Sequence, residues 1–347
     1  MPDFSYYVTA VLLGAPQKTY SGLSVMNYKI KAALLGGDMR QSAAARFLSE
    51  SGLECAVWGM DPGADIGGCV RCDDWRSAVN GAAVVVLPLP ASYDGVRVNC
   101  PMSPESRLRL STLLDAVNVP VLGGRLPDFL VRSAEEKELK IYDYYDSEEL
   151  KIKNALPTAE GAVSIAMREM ERTVNGCHAA VIGYGRVGGT TAGLLHSMGA
   201  DVTVAARRKS DLARAGICGM RQLHIDPGKT MCGMASLAHG YDLIINTVPA
   251  RLLSGEILHR MSPETVIIDL ASVPGGVDLD TAGKLGLNVT WALSRPGKYA
   301  PITAGIMIGE TVLSYLEGEG VIGECRLVTQ YAAPFVPYQG RLIPWLS

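Results

Sequence analysis

What this sequence has little of narrows its function first. Charged residues make up 19% of the 347, the formal net charge is −3, and no block of like charges occurs. That argues against a nucleic-acid partner, because neutralising phosphates takes clustered lysine and arginine. No stretch approaches the roughly eighteen apolar residues that a membrane span requires, so no membrane association is expected. The first residues carry Asp3 and no basic residue, and the apolar piece Tyr6–Leu13 is short. No secretory signal is read there, and a cytoplasmic protein is expected. The eight cysteines lie mostly within apolar runs without framework spacing, which fits reduced thiols. Cys69 and Cys72 are spaced like half a zinc site, but no second close pair completes four ligands. They are read as two unrelated thiols in a loop, and no metal is expected.

What is present is an apolar content of 48%, ample for buried cores, in a chain long enough for two domains. The informative stretch begins at Ala179. An apolar run to Ile182 enters Gly183-Tyr184-Gly185-Arg186-Val187-Gly188; a helical segment follows to Met198, Gly199 stops it, and a second apolar strand begins at Val202. Strand, glycine turn and helix in that order form a dinucleotide-binding unit. Gly183 is assigned the tight turn, Gly185 the close backbone approach to a pyrophosphate, and Gly188 the contact between helix and strand. The phosphate charge would lie on the helix N-terminus. Six strand candidates run through this half, the number a full dinucleotide fold uses: Ala179–Ile182, Val202–Ala205, Arg221–Ile225, Leu243–Asn246, Val266–Leu270 and Asn288–Trp291.

Upstream, Lys31–Leu35, Leu53–Trp58, Ala82–Leu87, Val119–Leu122 and Leu139–Tyr142 alternate with helical patterns that include Met39–Ser51 and Glu105–Val117. The reading is an α/β chain with two doubly wound parallel-sheet domains, the second a Rossmann NAD(P)-binding domain, and a cleft between them. Its divisions are a leader at 1–30, an N-terminal substrate domain at 31–155, a linking helix at 156–175, the Rossmann domain at 176–300, a closing helix at 301–318 that packs towards the first domain, and a tail at 319–347. Pro157 suits the first turn of the linking helix, and Thr158 or a neighbour its cap. A loop at Ser294–Pro301 precedes the closing helix.

The second strand of the Rossmann half ends in Ala206-Arg207-Arg208-Lys209-Ser210, with no carboxylate before Asp211. NAD-selective folds place Asp or Glu at this point to hold the ribose hydroxyls. Two arginines suit a 2′-phosphate instead, and cations at a helix N-terminus oppose the macrodipole, so they ask for an anion. NADP is expected ahead of NAD. Asn246-Thr247-Val248-Pro249 and Asp269-Leu270-Ala271-Ser272 end the fourth and fifth strands, on the edge that borders the nicotinamide.

The ordered set of Leu35-Gly-Gly-Asp-Met-Arg40-Gln, Leu87-Pro-Leu-Pro, Tyr144-Tyr-x-x-Glu-Glu-Leu, Asn154-Ala-Leu-Pro-Thr-Ala-Glu-Gly161, the glycine turn, Asn246-Thr-Val-Pro249, Asp269-Leu-Ala-Ser-Val-Pro-Gly-Gly276 and Pro301-Ile-Thr-Ala-Gly305 resembles the family of dipicolinate synthase A subunits of endospore-forming bacteria. The resemblance covers roughly residues 31–316. It implies NAD(P)-linked oxidation of dihydrodipicolinate, a lysine-pathway intermediate, to the pyridine dicarboxylate stored in spores, in company with a flavoprotein-like B subunit. Homo-oligomerisation is also expected. A small dicarboxylate needs cationic or backbone donors: Arg40, Arg295 and Lys298 are the candidates, Arg125 a further one, and Thr158 and Ser272 are added as substrate-binding residues. Glu160 is the candidate proton acceptor, with helix capping as its alternative role, and Lys298 the second catalytic candidate. No Lys-Asp or His-Glu pair of the kind carried by shikimate, hydroxyacid or homocysteine dehydrogenases is evident. An enzyme of that kind, or a non-catalytic nucleotide-binding subunit that activates its partner, is the alternative.

Overall fold

Two parallel sheets of six strands each carry the architecture. The computed structural model describes residues 30–226, 233–292 and 296–322. Arg295, nearly all of the leader and the tail beyond residue 322 lie outside the described residues.

The first sheet comprises β1 (Lys31–Leu35), β2 (Glu54–Trp58), β3 (Val70–Arg71), β4 (Val84–Val86), β5 (Val121–Gly123) and β6 (Ile141–Asp143), in the order β3-β2-β1-β4-β5-β6. Between its strands run α1 (Met39–Glu50), α2 (Trp75–Val79), α3 (Leu110–Ala116) and α4 (Asp128–Glu136). The central strands read as unbroken apolar runs because helices cover both faces; Ala32–Leu35 and Val84–Val86 are fully buried. Next come α5 (Glu148–Lys153) and the linking helix α6 (Ala155–Glu169).

The second sheet comprises β7 (His178–Ile182), β8 (Asp201–Ala206), β9 (Arg221–His224), β10 (Leu243–Asn246), β11 (Val266–Asp269) and β12 (Val289–Trp291), in the order β12-β11-β10-β7-β8-β9. Its helices are α7 (Arg186–Ser197), α8 (Lys209–Ile217), α9 (Gly255–Leu258) and α10 (Leu279–Leu285). The chain then crosses back through a short helix, α11 (Pro296–Tyr299), into α12 (Pro301–Gly318). In both sheets the order reverses beside the first strand, between β1 and β4 and between β7 and β10. Open α/β sheets bind ligands in the crevice at such reversals.

The closing helix α12 belongs to the first domain's core. Met307, Ile308, Val312, Leu313 and Leu316 share one buried cluster with Ala44, Ala45 and Leu48 of α1. Two glycines permit the close crossing: a Cβ on Gly305 would lie 2.3 Å from the Arg40 carbonyl oxygen, and one on Gly309 2.5 Å from Cδ1 of Phe47. The described residues contain no helix long and apolar enough to cross a membrane.

Four local expectations are corrected. The Cys69–Cys72 segment is not a loop: Val70 and Arg71 form β3, paired in parallel with Ala56 and Val57, and the Cys69 thiol donates to the Ala45 carbonyl at 3.3 Å. The helix expected from Glu105 starts only at Leu110, because Arg109 is held in an antiparallel bridge with Arg97. The linking helix ends at Glu169, where Met170 turns extended. Within the loop expected at Ser294–Pro301, Pro296–Tyr299 is helical.

Candidate functional site

The second domain's wall is the glycine turn. Gly183 takes φ +94°, a conformation open to glycine, and a Cβ there would meet Thr247 Oγ1 at 2.5 Å. Gly188 packs so closely that a Cβ would lie 2.3 Å from the Gly183 carbonyl oxygen. Gly185 caps α7, and a Cβ on it would meet nothing within 4 Å. Open space at that one glycine, above the first-turn N–H groups of Arg186, Val187 and Gly188, is what an approaching pyrophosphate needs. The residues present therefore fit a dinucleotide. The Arg186 side chain turns elsewhere: Nη1 donates to both Glu148 carboxylate oxygens of α5, at 2.8 and 2.6 Å. Tyr184 lies under Arg214, whose guanidinium carbon is 5.6 Å from the ring centroid.

At the end of β8, Arg207, Arg208, Lys209 and Ser210 are all exposed. Arg208 Nε donates to Asp211 Oδ2 at 2.8 Å and Arg214 Nη2 to Oδ1 at 2.7 Å. Burial works against the Asp211 charge, yet the two guanidiniums outweigh it and hold the carboxyl below its usual range. The anion that the basic helix start demands is thus supplied in part from within, by Asp211 against Arg208. Arg207 makes no such pair with a described residue.

Asn246 and Asp269 brace the ends of β10 and β11 with side chains engaged by one another and by nearby backbone groups. Asn246 is fully buried; Nδ2 donates to Asp269 Oδ1 at 2.8 Å and to the Val248 carbonyl at 3.0 Å, while Oδ1 accepts from Val248 N–H. Asp269 also accepts from the N–H groups of Ala271 and Gly276, at 3.0 and 2.7 Å. This closes the turn that leaves Ser272 exposed. Thr247 Oγ1 donates to the Ile182 carbonyl, tying the β10 end to the glycine turn, and Pro249 is exposed beyond Val248.

The first domain contributes Arg40, whose guanidinium is 12% exposed. Asp38 caps α1 by accepting from Arg40 N–H, and its carboxylate also takes Arg40 Nε at 3.0 Å and Nη2 at 2.7 Å. Nη2 donates further to the Leu89 carbonyl. Burial opposes the charge, but Asp38 more than compensates and holds the guanidinium more firmly protonated. Both N–H groups of Nη1 are left without a partner among the described residues. Behind it, Tyr144 donates to the Leu87 carbonyl at 3.0 Å.

The crossing segment joins these walls. A Cβ on Gly297 would lie 2.7 Å from Arg40 Nε, and one on Gly161 of α6 would lie 2.5 Å from Cδ2 of Tyr299. The helix α11 that carries Lys298 is therefore held against both Arg40 and the linking helix. The Lys298 side chain, like Arg295, lies outside the described residues.

Other candidates are not brought to this point. Glu160 is exposed on α6 in a groove with Val163, Ser164, Met167 and Arg168, facing Leu194 and Met198 of the α7 end. Thr158 does not cap the helix: it lies inside the first turn, buried, with Oγ1 donating to the Asn154 carbonyl at 2.9 Å. Arg125 stacks over Tyr145, 4.8 Å from its centroid. Sequence reasoning missed the Glu148–Arg186 pair and the Asp211 clamp. Asp211 was legible as an i,i+3 partner of Arg208 and Arg214; Glu148, 38 residues from Arg186, carried no local signal.

Comparison with known proteins agrees with this arrangement. Residues 31–145 match the N-terminal domain of the dipicolinate synthase A subunit, and residues 153–283 the alanine dehydrogenase/PNT C-terminal domain. The dipicolinate synthase A subunit of Bacillus subtilis (strain 168) is 32% identical over 84% of this chain and 96% of its own. The crystal structure of the dipicolinate synthase A subunit from Bacillus halodurans superposes with a TM-score of 0.74 at 28% identity, over 83% of this chain and 98% of its own. A transhydrogenase from Sinorhizobium meliloti, 17% identical with a TM-score of 0.64 over 85% of this chain and 94% of its own, shares the fold.

Proposed function

The chain belongs to the family of dipicolinate synthase A subunits, with a nicotinamide-dinucleotide-binding domain, and on that premise we propose that it oxidises dihydrodipicolinate to dipicolinate with NADP as acceptor, alongside a flavoprotein-like partner subunit. The observation that carries the reading is Arg40. A largely buried guanidinium with two N–H groups unengaged among the described residues stands at the strand-order reversal of the first sheet and touches the segment that leads back from the dinucleotide domain. A carboxylate is the natural acceptor for such a pair.

Dihydrodipicolinate loses a hydride and a proton on becoming aromatic. NADP, when bound, supplies the hydride acceptor. The protein's part is then mainly to hold the donor carbon in place. Asp38 and the Leu89 carbonyl fix the plane of the Arg40 guanidinium, so a substrate carboxylate meets it without rotamer ordering. The exposed Ser272 hydroxyl and the Lys298 ammonium are the further contacts we assign. The proton passes to water, since Glu160 lies in the separate groove with Leu194 and Met198. Arg207, exposed and unpaired among the described residues, supports NADP over NAD.

The test is to mix the purified chain with NADP and freshly prepared dihydrodipicolinate, with and without the partner subunit, and to measure pyridine absorbance. Product in the mixture without the partner is expected. Its absence from both mixtures would sink the oxidoreductase reading, and product only with the partner would give this chain an activating role.

A further inference from the structure

Of the two arginines after β8, Arg208 is committed to Asp211, and the Arg207 guanidinium has no partner among the described residues. What fixes Arg207 is its backbone. β9 runs parallel to β8 with Ala206 opposite His224, and His224 Nε2 lies 3.1 Å from the Arg207 carbonyl oxygen. A carbonyl only accepts, so the imidazole bears its proton on Nε2 and donates it. The peptide from which the Arg207 side chain emerges is therefore pinned from the neighbouring strand, by a residue 17 positions away. His224 is itself exposed and supports no core cluster.

We propose that His224 is a positioning residue for the 2′-phosphate of NADP, acting by holding the Arg207 peptide so that the guanidinium meets the phosphate. The proposal rests on the reading of Arg207–Ser210 as the 2′-phosphate site. The Ile225 N–H also donates to the Ala206 carbonyl, at 3.1 Å, so the strand end stays paired; what the Nε2 hydrogen bond adds is a tie on the Arg207 peptide itself. Without it the unpaired Arg207 side chain sweeps a wider space, so ordering it on the phosphate costs more entropy. NAD lacks the 2′-phosphate and is indifferent to this. His224 thus acts on the choice between the two dinucleotides rather than on dinucleotide binding as such.

Dissociation constants for NADP and for NAD, measured on the full chain, provide the test. His224→Ala is expected to weaken NADP by about three- to tenfold, the scale of one hydrogen bond, and to leave NAD unchanged. His224→Gln, whose amide N–H can reach the same carbonyl, is expected to restore NADP affinity. Equal loss for both dinucleotides, or loss for neither, overturns the proposal; a selective loss that Gln fails to restore also overturns it, because the imidazole would then act on the phosphate itself. The double variant Arg207→Ala with Arg208→Ala separates the two levels. An unchanged NADP-to-NAD ratio in that variant means the 2′-phosphate reading has failed, whereas a collapsed ratio beside an unaffected His224→Ala means that only the positioning role has.

Discussion

Arg40 is defined by what it has already given away. Three of its five N–H donors go to Asp38 and the Leu89 carbonyl, and that commitment aims the remaining two. Lysine keeps the charge but cannot satisfy those partners and a substrate carboxylate together. Arg40→Lys should therefore raise KM for dihydrodipicolinate about 10- to 100-fold, the scale of a hydrogen bond to a charged group, while leaving dinucleotide affinity intact; an unchanged KM would remove Arg40 from the site. Asp211 yields a pH prediction. Its carboxyl is held below the ordinary value of 3.8 by Arg208 and Arg214, so it contributes stability that is present above that value and lost as pH falls through the lower, folded-state one. The Tm gap between the native chain and Asp211→Asn should be full at neutral pH and close as the pH is lowered below about 4. A gap that stays constant with pH would show that the carboxylate charge is not what stabilises the clamp. Residue roles of this kind were half legible: Arg40 stood out by its place after a strand, but nothing in the string of letters reveals that Asp38 and Leu89 orient it.

Among the elements, α7 separates glycines that do different work. Gly188 faces the Gly183 carbonyl at a distance no Cβ can occupy, whereas Gly193 looks into open space. Gly188→Ala should cost about 1–3 kcal/mol through overpacking and abolish dinucleotide binding. Gly193→Ala should raise stability by about 0.4–1 kcal/mol by restricting the unfolded chain. Thermal melts with a dinucleotide titration would read both, and equal effects would contradict the division of roles. The central strands of the second sheet, β7, β8, β10 and β11, were legible because each is a short apolar run between glycine or polar breaks, buried on both faces; the exposed β9 carried only its place between helical patterns. β3 was not, because Val70 and Arg71 are exposed and two residues long, held only by pairing with β2. The α3 start was misjudged for a related reason: the long-range bridge of Arg109 to Arg97 overrides a helical pattern that looks continuous locally.

On the scale of the whole molecule, the two domains are tied at places the sequence separates widely. Glu148 on α5 meets Arg186 at the head of the glycine-turn helix; α12 folds back across α1; and α11 is held between Arg40 of α1, against its Gly297, and Gly161 of α6, against its Tyr299. Alternating apolar and glycine patterns announce two doubly wound sheets, yet they say nothing of how one is set against the other, since that depends on contacts between residues far apart in the chain. Gly161 offers the cleanest handle on this relation. It lies inside α6, ahead of the glycine turn, and the ring of Tyr299 fills the place where its side chain would be. Gly161→Val must push that ring aside and with it α11, which carries Lys298 and abuts Arg40. The expected outcome is a several-fold rise in KM for dihydrodipicolinate with the dissociation constant for NADP unchanged, because the glycines of the turn are met by Thr247, Val248 and one another, while Tyr299 reaches the core cluster beneath Tyr184 and Val187. Were both constants to rise together, α11 would be a prop for the dinucleotide domain as a whole; were neither to move, its contact with Arg40 would have no bearing on substrate. Only the split places the substrate between the first domain and the returning segment.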